Sequence, residues 1–162
     1  NVPARTGTNL APATVQELWR LPNVLALKES SGDLTQIARI GGELPPGRLL
    51  FAGDDLLTVA ACAVGARGLI SVAGNVVPAL MRRLLQLAVA GDGSAALDLH
   101  RRLVPLFDAL GAEPNPIPVK TALALLGIAG PEPRLPLLAA SAATRSSLQH
   151  ALHRLQEVTS HA

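Results

Sequence analysis

The lysines of this chain are the residues best suited to chemistry. There are only two, Lys28 and Lys120, beside twelve arginines in 162 residues. Lys28 follows the apolar residues 24–27, where a strand would leave the core. An arginine keeps its proton, whereas a lysine in a dry site can lose it and attack a carbonyl to form a Schiff base. Lys28 is therefore a candidate nucleophile, although position alone favours a packed stem whose charged end reaches water.

Other reactive side chains suit structural roles better. Cys62 is the only cysteine and lies in the apolar stretch 57–64, so a packed thiol is predicted and no internal disulfide is expected. His150 and His153 are three residues apart but have no third ligand at a useful spacing, so no metal site is predicted. Asp54 and Asp55 could form a carboxylate pair, but capping of the following helix is the favoured interpretation.

Composition argues against two classes of partner. A net charge of +2, with one tryptophan, two phenylalanines and no tyrosine, does not fit nucleic-acid binding. No apolar run approaches the roughly 18 residues of a membrane span. A single cysteine favours a reducing compartment, so we expect a soluble, cytoplasmic protein.

Strands and helices alternate around these residues. Strands are predicted at 24–28, 49–52 and 69–72, and helices at 14–21, at 33–40 with Asp33 as N-cap, at 56–64, and from Pro78 in a first turn. After residue 90 only helices are predicted, at 92–110, 118–126 and 141–158. Short apolar strands separated by helices are typical of a buried parallel sheet. The pattern predicts an α/β fold, with a partial barrel over residues 1–90 and a C-terminal helical region over residues 91–162.

Five segments together resemble the dihydrodipicolinate synthase family. They are NVPARTG at 1–7, LKESSGD at 27–33, GDD at 53–55, GARGLISV at 65–72 and EPNPIPVK at 113–120. They occur in the family's order and at its spacing, over essentially the whole chain. The family consists of pyruvate-dependent Schiff-base lyases built as (β/α)₈ TIM barrels. The resemblance implies that this chain is the C-terminal half of such a barrel, followed by a helical appendage.

The resemblance also implies roles for individual residues. Lys28 would form an imine with pyruvate at the end of the sixth barrel strand, and the derived enamine would attack aspartate 4-semialdehyde. The product would be 4-hydroxy-tetrahydrodipicolinate, a precursor in lysine and diaminopimelate biosynthesis. Arg5 would bind the semialdehyde carboxylate, Gly53 would leave room for the keto acid, the Ile70 carbonyl would face the lysine, and Asn115 would lie in a loop near the site. No cofactor is implied beyond the covalent lysine, and the parent enzyme is expected to be a homo-oligomer.

The chain departs from the family pattern at its start. The family has a proton-relaying tyrosine directly before the residue that is Asn1 here, and this chain contains no tyrosine. The threonines that hold the pyruvate carboxylate belong to the half of the barrel that is absent from this sequence. Two alternatives stay open. One is a sister aldolase that acts on a 2-keto-3-deoxy sugar acid or N-acetylneuraminate, and the presence of Arg5 argues against this enzyme. The other is an inactive half-barrel that only associates with a partner chain.

Overall fold

In the described part of the chain, three parallel strands form one sheet in the order β1–β2–β3. The computed structural model describes the backbone of residues 1–159 and the side chains of residues 1–155. The strands are β1 (Ala26–Glu29), β2 (Leu49–Ala52) and β3 (Gly68–Leu69). Lys28 pairs in register with Phe51, and Phe51 pairs with Gly68. The predicted parallel sheet of an α/β fold is therefore confirmed.

Eight α-helices and two short 3-10 turns make up the remaining regular structure of the described residues. The helices are α1 (Pro3–Thr6), α2 (Pro12–Trp19), α3 (Leu34–Gly42), α4 (Thr58–Ala63), α5 (Pro78–Ala90), α6 (Gly93–Gly111), α7 (Ile117–Leu125) and α8 (Ala142–Thr159), and the 3-10 turns are Asp55–Leu57 and Ala73–Asn75. None of these helices is both long and apolar enough to cross a membrane. The chain divides into two compact units, residues 1–71 with 82–97, and residues 72–81 with those from 98 onward. The predicted boundary at residue 90, between barrel part and helical region, stays a prediction.

The core of the first unit lies between one face of the sheet and helices α2, α3 and α4. Its buried members are Val15, Trp19, Ile37, Ile40, Leu50, Ala52, Ala61 and Ala66. Leu50 is fully buried, whereas Leu49 beside it is 44% exposed. Because side chains alternate between the two faces of a strand, the face that carries Leu49, Phe51 and Lys28 is the one that these helices do not cover.

In the second unit, α7 packs against α8. Ile117, Val119 and Ala122 are buried on α7, as are Leu148 and Leu152 on α8. Glu113 precedes α7, and Ser141 directly precedes α8. The carboxylate of Glu113 accepts a hydrogen bond from the Ser141 backbone nitrogen at 2.9 Å. Hydrogen bonds from Thr144 and Ser141 hold the pKa of Glu113 below its usual value. The loop before α7 is therefore fastened to the start of α8.

Several elements differ in extent from the sequence predictions, and α2 and β3 differ for identifiable reasons. Helix α2 begins at Pro12 rather than Thr14, because proline is tolerated in the first turn, where no backbone N–H is needed. Strand β3 covers Gly68–Leu69 rather than 69–72, and the apolar run continues into a 3-10 turn. The predicted N-cap is confirmed, since Asp33 accepts hydrogen bonds from the backbone nitrogens of Thr35 at 2.8 Å and Gln36 at 3.2 Å.

Candidate active site

Lys28 is the third residue of β1, close to the carboxyl end of the sheet. Its side chain is half-buried on the uncovered face. The amine makes no hydrogen bond or ion pair with any residue that the structure describes. In a parallel α/β sheet, ligands bind outside the carboxyl ends of the strands. The amine of Lys28 thus lies, without a counter-ion among the described residues, in the region where such folds carry out chemistry.

Gly53 lies directly against the side chain of Lys28. A Cβ atom at this position would lie 2.5 Å from Lys28 Cε, 3.1 Å from Lys28 Cγ and 1.8 Å from Ser30 Oγ. Real Cβ atoms do not approach other atoms so closely, so a residue with a side chain here would displace both neighbours. The absence of a side chain at Gly53 is what allows Lys28 and Ser30 to lie where they do.

Ile70 follows β3 at the same edge of the sheet. Its backbone nitrogen donates to the Ala52 carbonyl at 2.9 Å, which fixes the chain next to the end of β2. Its side chain is 49% exposed. A further glycine, Gly68, lies under the ring of Phe51, because a Cβ there would be 2.3 Å from the ring carbon Cδ1. Gly53, which follows β2, and Gly68, on β3, therefore make room for the side chains of Lys28 and Phe51.

Arg5 belongs to the short helix α1, within the loop that precedes α2. Its side chain is exposed and forms no ion pair within the part of the chain that the structure describes. The loop is attached to β1 at its start, where the Asn1 backbone nitrogen donates to the Lys28 carbonyl at 2.8 Å and the Asn1 carbonyl accepts from Ser30 N at 2.9 Å. Arg5 thus lies on a loop whose first residue extends the hydrogen-bonding ladder of β1.

A buried polar network fixes the same loop from the other face of β1. Glu29 is 1% exposed, and its carboxylate accepts hydrogen bonds from Ser31 N at 2.7 Å, Asn1 Nδ2 at 2.8 Å and Gln36 Nε2 at 3.3 Å. Asn9, beyond Arg5 in the chain, accepts from Asn1 Nδ2 at 2.7 Å and donates to Gln36 Oε1 at 2.8 Å. Both ends of the loop are therefore tied to the strand that carries Lys28.

Sequence reasoning missed this network and the position of Ser30. A signal for the network was present, because Glu29 follows Lys28 on a strand and must point to the opposite, helix-covered face. A carboxylate buried there needs hydrogen-bond donors, and Asn1, Asn9 and Gln36 are amide side chains that can supply them. No signal in the sequence indicates the contact between Ser30 and Gly53, because it depends on how two strands pack.

The remaining candidates have separate surroundings. Asn115 belongs to the second unit, where it is exposed between α6 and α7 and precedes a cis peptide bond to Pro116. The four other candidate residues lie in the first unit. Asp54 caps the 3-10 turn by accepting from Leu56 N at 3.0 Å, as predicted. The carboxylate of Asp55 accepts a hydrogen bond from the Ser71 hydroxyl.

Two further side chains have the settings of structural groups. Cys62 is buried on α4, and burial raises the pKa of its thiol, which agrees with the predicted packed thiol rather than a nucleophile. His150 lies on α8, and its Nδ1 is 2.8 Å from the Ser146 carbonyl oxygen one turn earlier.

Comparison with known proteins identifies relatives for nearly the whole chain. A model of the Dihydrodipicolinate synthetase family matches residues 1–155. The 4-hydroxy-tetrahydrodipicolinate synthase of Archaeoglobus fulgidus is 42% identical over 98% of this chain and 55% of that enzyme. The enzyme of the same name from Thermosynechococcus vestitus is 46% identical over 96% of this chain and 52% of that enzyme. This chain therefore spans about half the length of these relatives.

Solved structures agree with the sequence matches. Dihydrodipicolinate synthase from Aquifex aeolicus superposes with a TM-score of 0.92 at 38% identity, over 96% of this chain and 54% of that one. The 4-hydroxy-tetrahydrodipicolinate synthase from Methylacidiphilum fumariolicum gives a TM-score of 0.93 at 37% identity, over 97% and 53% of the two chains. The prediction that this chain forms about half of a (β/α)₈ barrel is confirmed by these matches.

Proposed function

Because this chain belongs to the dihydrodipicolinate synthetase family, we propose that the whole protein is a lyase that condenses pyruvate with aspartate 4-semialdehyde. The product is 4-hydroxy-tetrahydrodipicolinate, in lysine and diaminopimelate biosynthesis. The observation that carries the proposal is the position of Lys28, whose side chain runs over Gly53 at the carboxyl end of β1 and whose amine has no partner among the described residues.

Lys28 supplies the nucleophile of the proposed reaction. Its neutral amine attacks the ketone carbon of pyruvate, and water leaves as the imine forms. The imine withdraws electrons from the methyl carbon, which loses a proton to give an enamine. The enamine carbon then attacks the aldehyde, and ring closure releases the lysine. Because the imine itself is the electron sink, this reaction requires no dissociable cofactor.

Arg5 is proposed to bind the carboxylate of the semialdehyde. A guanidinium can hold a carboxylate through two parallel hydrogen bonds. That of Arg5 is exposed and has no ion pair with the residues that the structure describes. The network around Glu29 supports this role, because it ties both ends of the Arg5 loop to the strand of Lys28. Gly53 is proposed to leave room for the keto acid, and Ile70 and Asn115 to border the substrates.

The relatives favour the synthase over the sister aldolases, since those described above are named 4-hydroxy-tetrahydrodipicolinate synthase. The proposed setting is the cytoplasm, with two small molecules as the partners of the active site. A homo-oligomer is the proposed assembly of the whole enzyme.

Reductive trapping tests the proposal. The whole protein is incubated with pyruvate, treated with borohydride, digested and analysed by mass spectrometry. We expect the reduced pyruvyl adduct on Lys28. Lys120, on α7, is the matched control because it is the only other lysine of this chain. An adduct on Lys120, or on neither of the two lysines, would contradict the proposed function.

A further inference from the structure

Ser30 lies beside Lys28 at the carboxyl end of β1. The two residues are two positions apart, and side chains at that spacing along an extended chain point to the same face. Ser30 Oγ lies 1.8 Å, and Lys28 Cε 2.5 Å, from the position that a Cβ of Gly53 would occupy. Two atoms at these distances from one point are at most about 4.3 Å apart. The hydroxyl is therefore a close neighbour of the end of the lysine side chain.

The hydroxyl of Ser30 is buried and has no hydrogen-bond partner among the residues that the structure describes. Buried polar atoms are nearly always paired, so an unpaired one calls for an explanation. The adjacent hydroxyl, that of Ser31, is paired, since it accepts from Asp33 N at 3.2 Å. Trp19 Nε1 is also unpaired, but Trp19 lies in the helix-covered core, away from the face of Lys28.

We propose that Ser30 is a further substrate-binding residue, whose hydroxyl donates a hydrogen bond to the ketone oxygen that Lys28 attacks. The proposal rests on the proposed function, because it assigns a partner to the keto acid bound at Lys28. When the amine forms the C–N bond, the π electrons of the carbonyl move to this oxygen. The oxygen then leaves as water with the two protons that the nitrogen gives up, and the C=N bond forms.

The geometry allows this contact. In the adduct, the oxygen is three bonds from Lys28 Cε, each about 1.5 Å long. A hydroxyl at most about 4.3 Å from Cε can therefore come within hydrogen-bonding distance of this oxygen. The hydrogen bond from the Ser30 hydroxyl is strongest when the ketone oxygen carries negative charge. It therefore favours the attack by the amine more than the initial binding of the ketone.

The test compares Ser30→Ala with Ser31→Ala in the whole protein. Ser31→Ala is the matched control because it removes a neighbouring hydroxyl and leaves every backbone group in place. Each protein is mixed rapidly with pyruvate and quenched with borohydride at increasing times, and the adduct is quantified by mass. We expect Ser30→Ala to slow imine formation about tenfold to a hundredfold, as for the loss of a hydrogen bond to a charged group, and Ser31→Ala to keep the parent rate.

Thermal unfolding separates this role from a structural one. Because Ser30→Ala removes an unpaired buried hydroxyl, its unfolding midpoint should equal or exceed that of the parent. If Ser30→Ala forms the imine at the parental rate while Lys28 is labelled in the parent, the role of Ser30 is overturned and the proposed function stands. A lowered midpoint together with a lost rate would also overturn it. Absence of label on Lys28 in the parent would instead refute the proposed function, and this proposal with it.

Discussion

The packing of Gly53 against Lys28 makes Gly53→Ala a sharp test of the site. The added methyl would lie 2.5 Å from Lys28 Cε and 1.8 Å from Ser30 Oγ, whereas ordinary contacts begin near 3.4 Å. The end of the lysine must therefore retreat by roughly 1 Å and the hydroxyl by more. A displacement of this size costs about 100-fold in rate when it misplaces a reacting group. Overpacking of this kind lowers stability by about 1–3 kcal/mol.

Gly42→Ala is the matched control, because it makes the same chemical change in the same unit. Gly42 ends α3, has no positive φ, and has no atom within 4 Å of the position of an added Cβ. Alanine at this position should be neutral or stabilising by up to about 1 kcal/mol. Borohydride trapping gives the rate of imine formation, and urea unfolding gives the stability. Equal rates and equal stabilities for Gly53→Ala and Gly42→Ala would refute this prediction.

Three other predictions follow from the same site. Arg5→Ala should raise the KM for the semialdehyde about tenfold to a hundredfold and leave the trapping of pyruvate on Lys28 unchanged. Equal losses for both substrates in steady-state assays would count against the role of Arg5. Glu29→Gln should lower the free energy of unfolding by about 1–3 kcal/mol, because an amide nitrogen replaces a carboxylate oxygen that accepts hydrogen bonds. An unchanged midpoint of urea unfolding would refute this loss of stability. The 162-residue chain expressed alone should self-associate through its uncovered sheet face, where Leu49 is exposed. It should also turn over substrate at least about 10²-fold more slowly than an intact enzyme. A sharp monomer in light scattering, together with normal turnover, would contradict both expectations.

Local signals in the sequence were sufficient for much of the fold. Strand β2 has the predicted bounds because its apolar run ends at Gly53 and has no competing continuation. The start of α3 is correct because Asp33 is a strong cap whose partners lie two and three residues away. The end of β1 was missed by one residue, since a charged residue after an apolar run indicates a strand end. Glu29 remains in the strand because side chains outside the strand, those of Asn1 and Gln36, supply its hydrogen bonds.

The same limit applies to the site. The type and position of Lys28 could be recognised from the chain, because they depend on one strand and its apolar neighbours. Its relation to Ser30 and Gly53 could not, because it depends on the register and approach of β1 and β2. Contacts between strands are set by packing, and an unpaired buried hydroxyl becomes visible only when every neighbouring donor and acceptor is known.

The alternation of side chains along β1 explains why Glu29 is not a counter-ion of Lys28. Opposite charges next to each other in sequence suggest an ion pair, yet successive residues of a strand point to opposite faces. Glu29 is therefore buried on the helix-covered side, where its carboxylate accepts hydrogen bonds from amide groups and a backbone nitrogen. Lys28 lies on the other side, over Gly53. The strand thus uses Glu29 to anchor the Arg5 loop and leaves the amine of Lys28 without a partner among the described residues, as the proposed attack on a ketone requires.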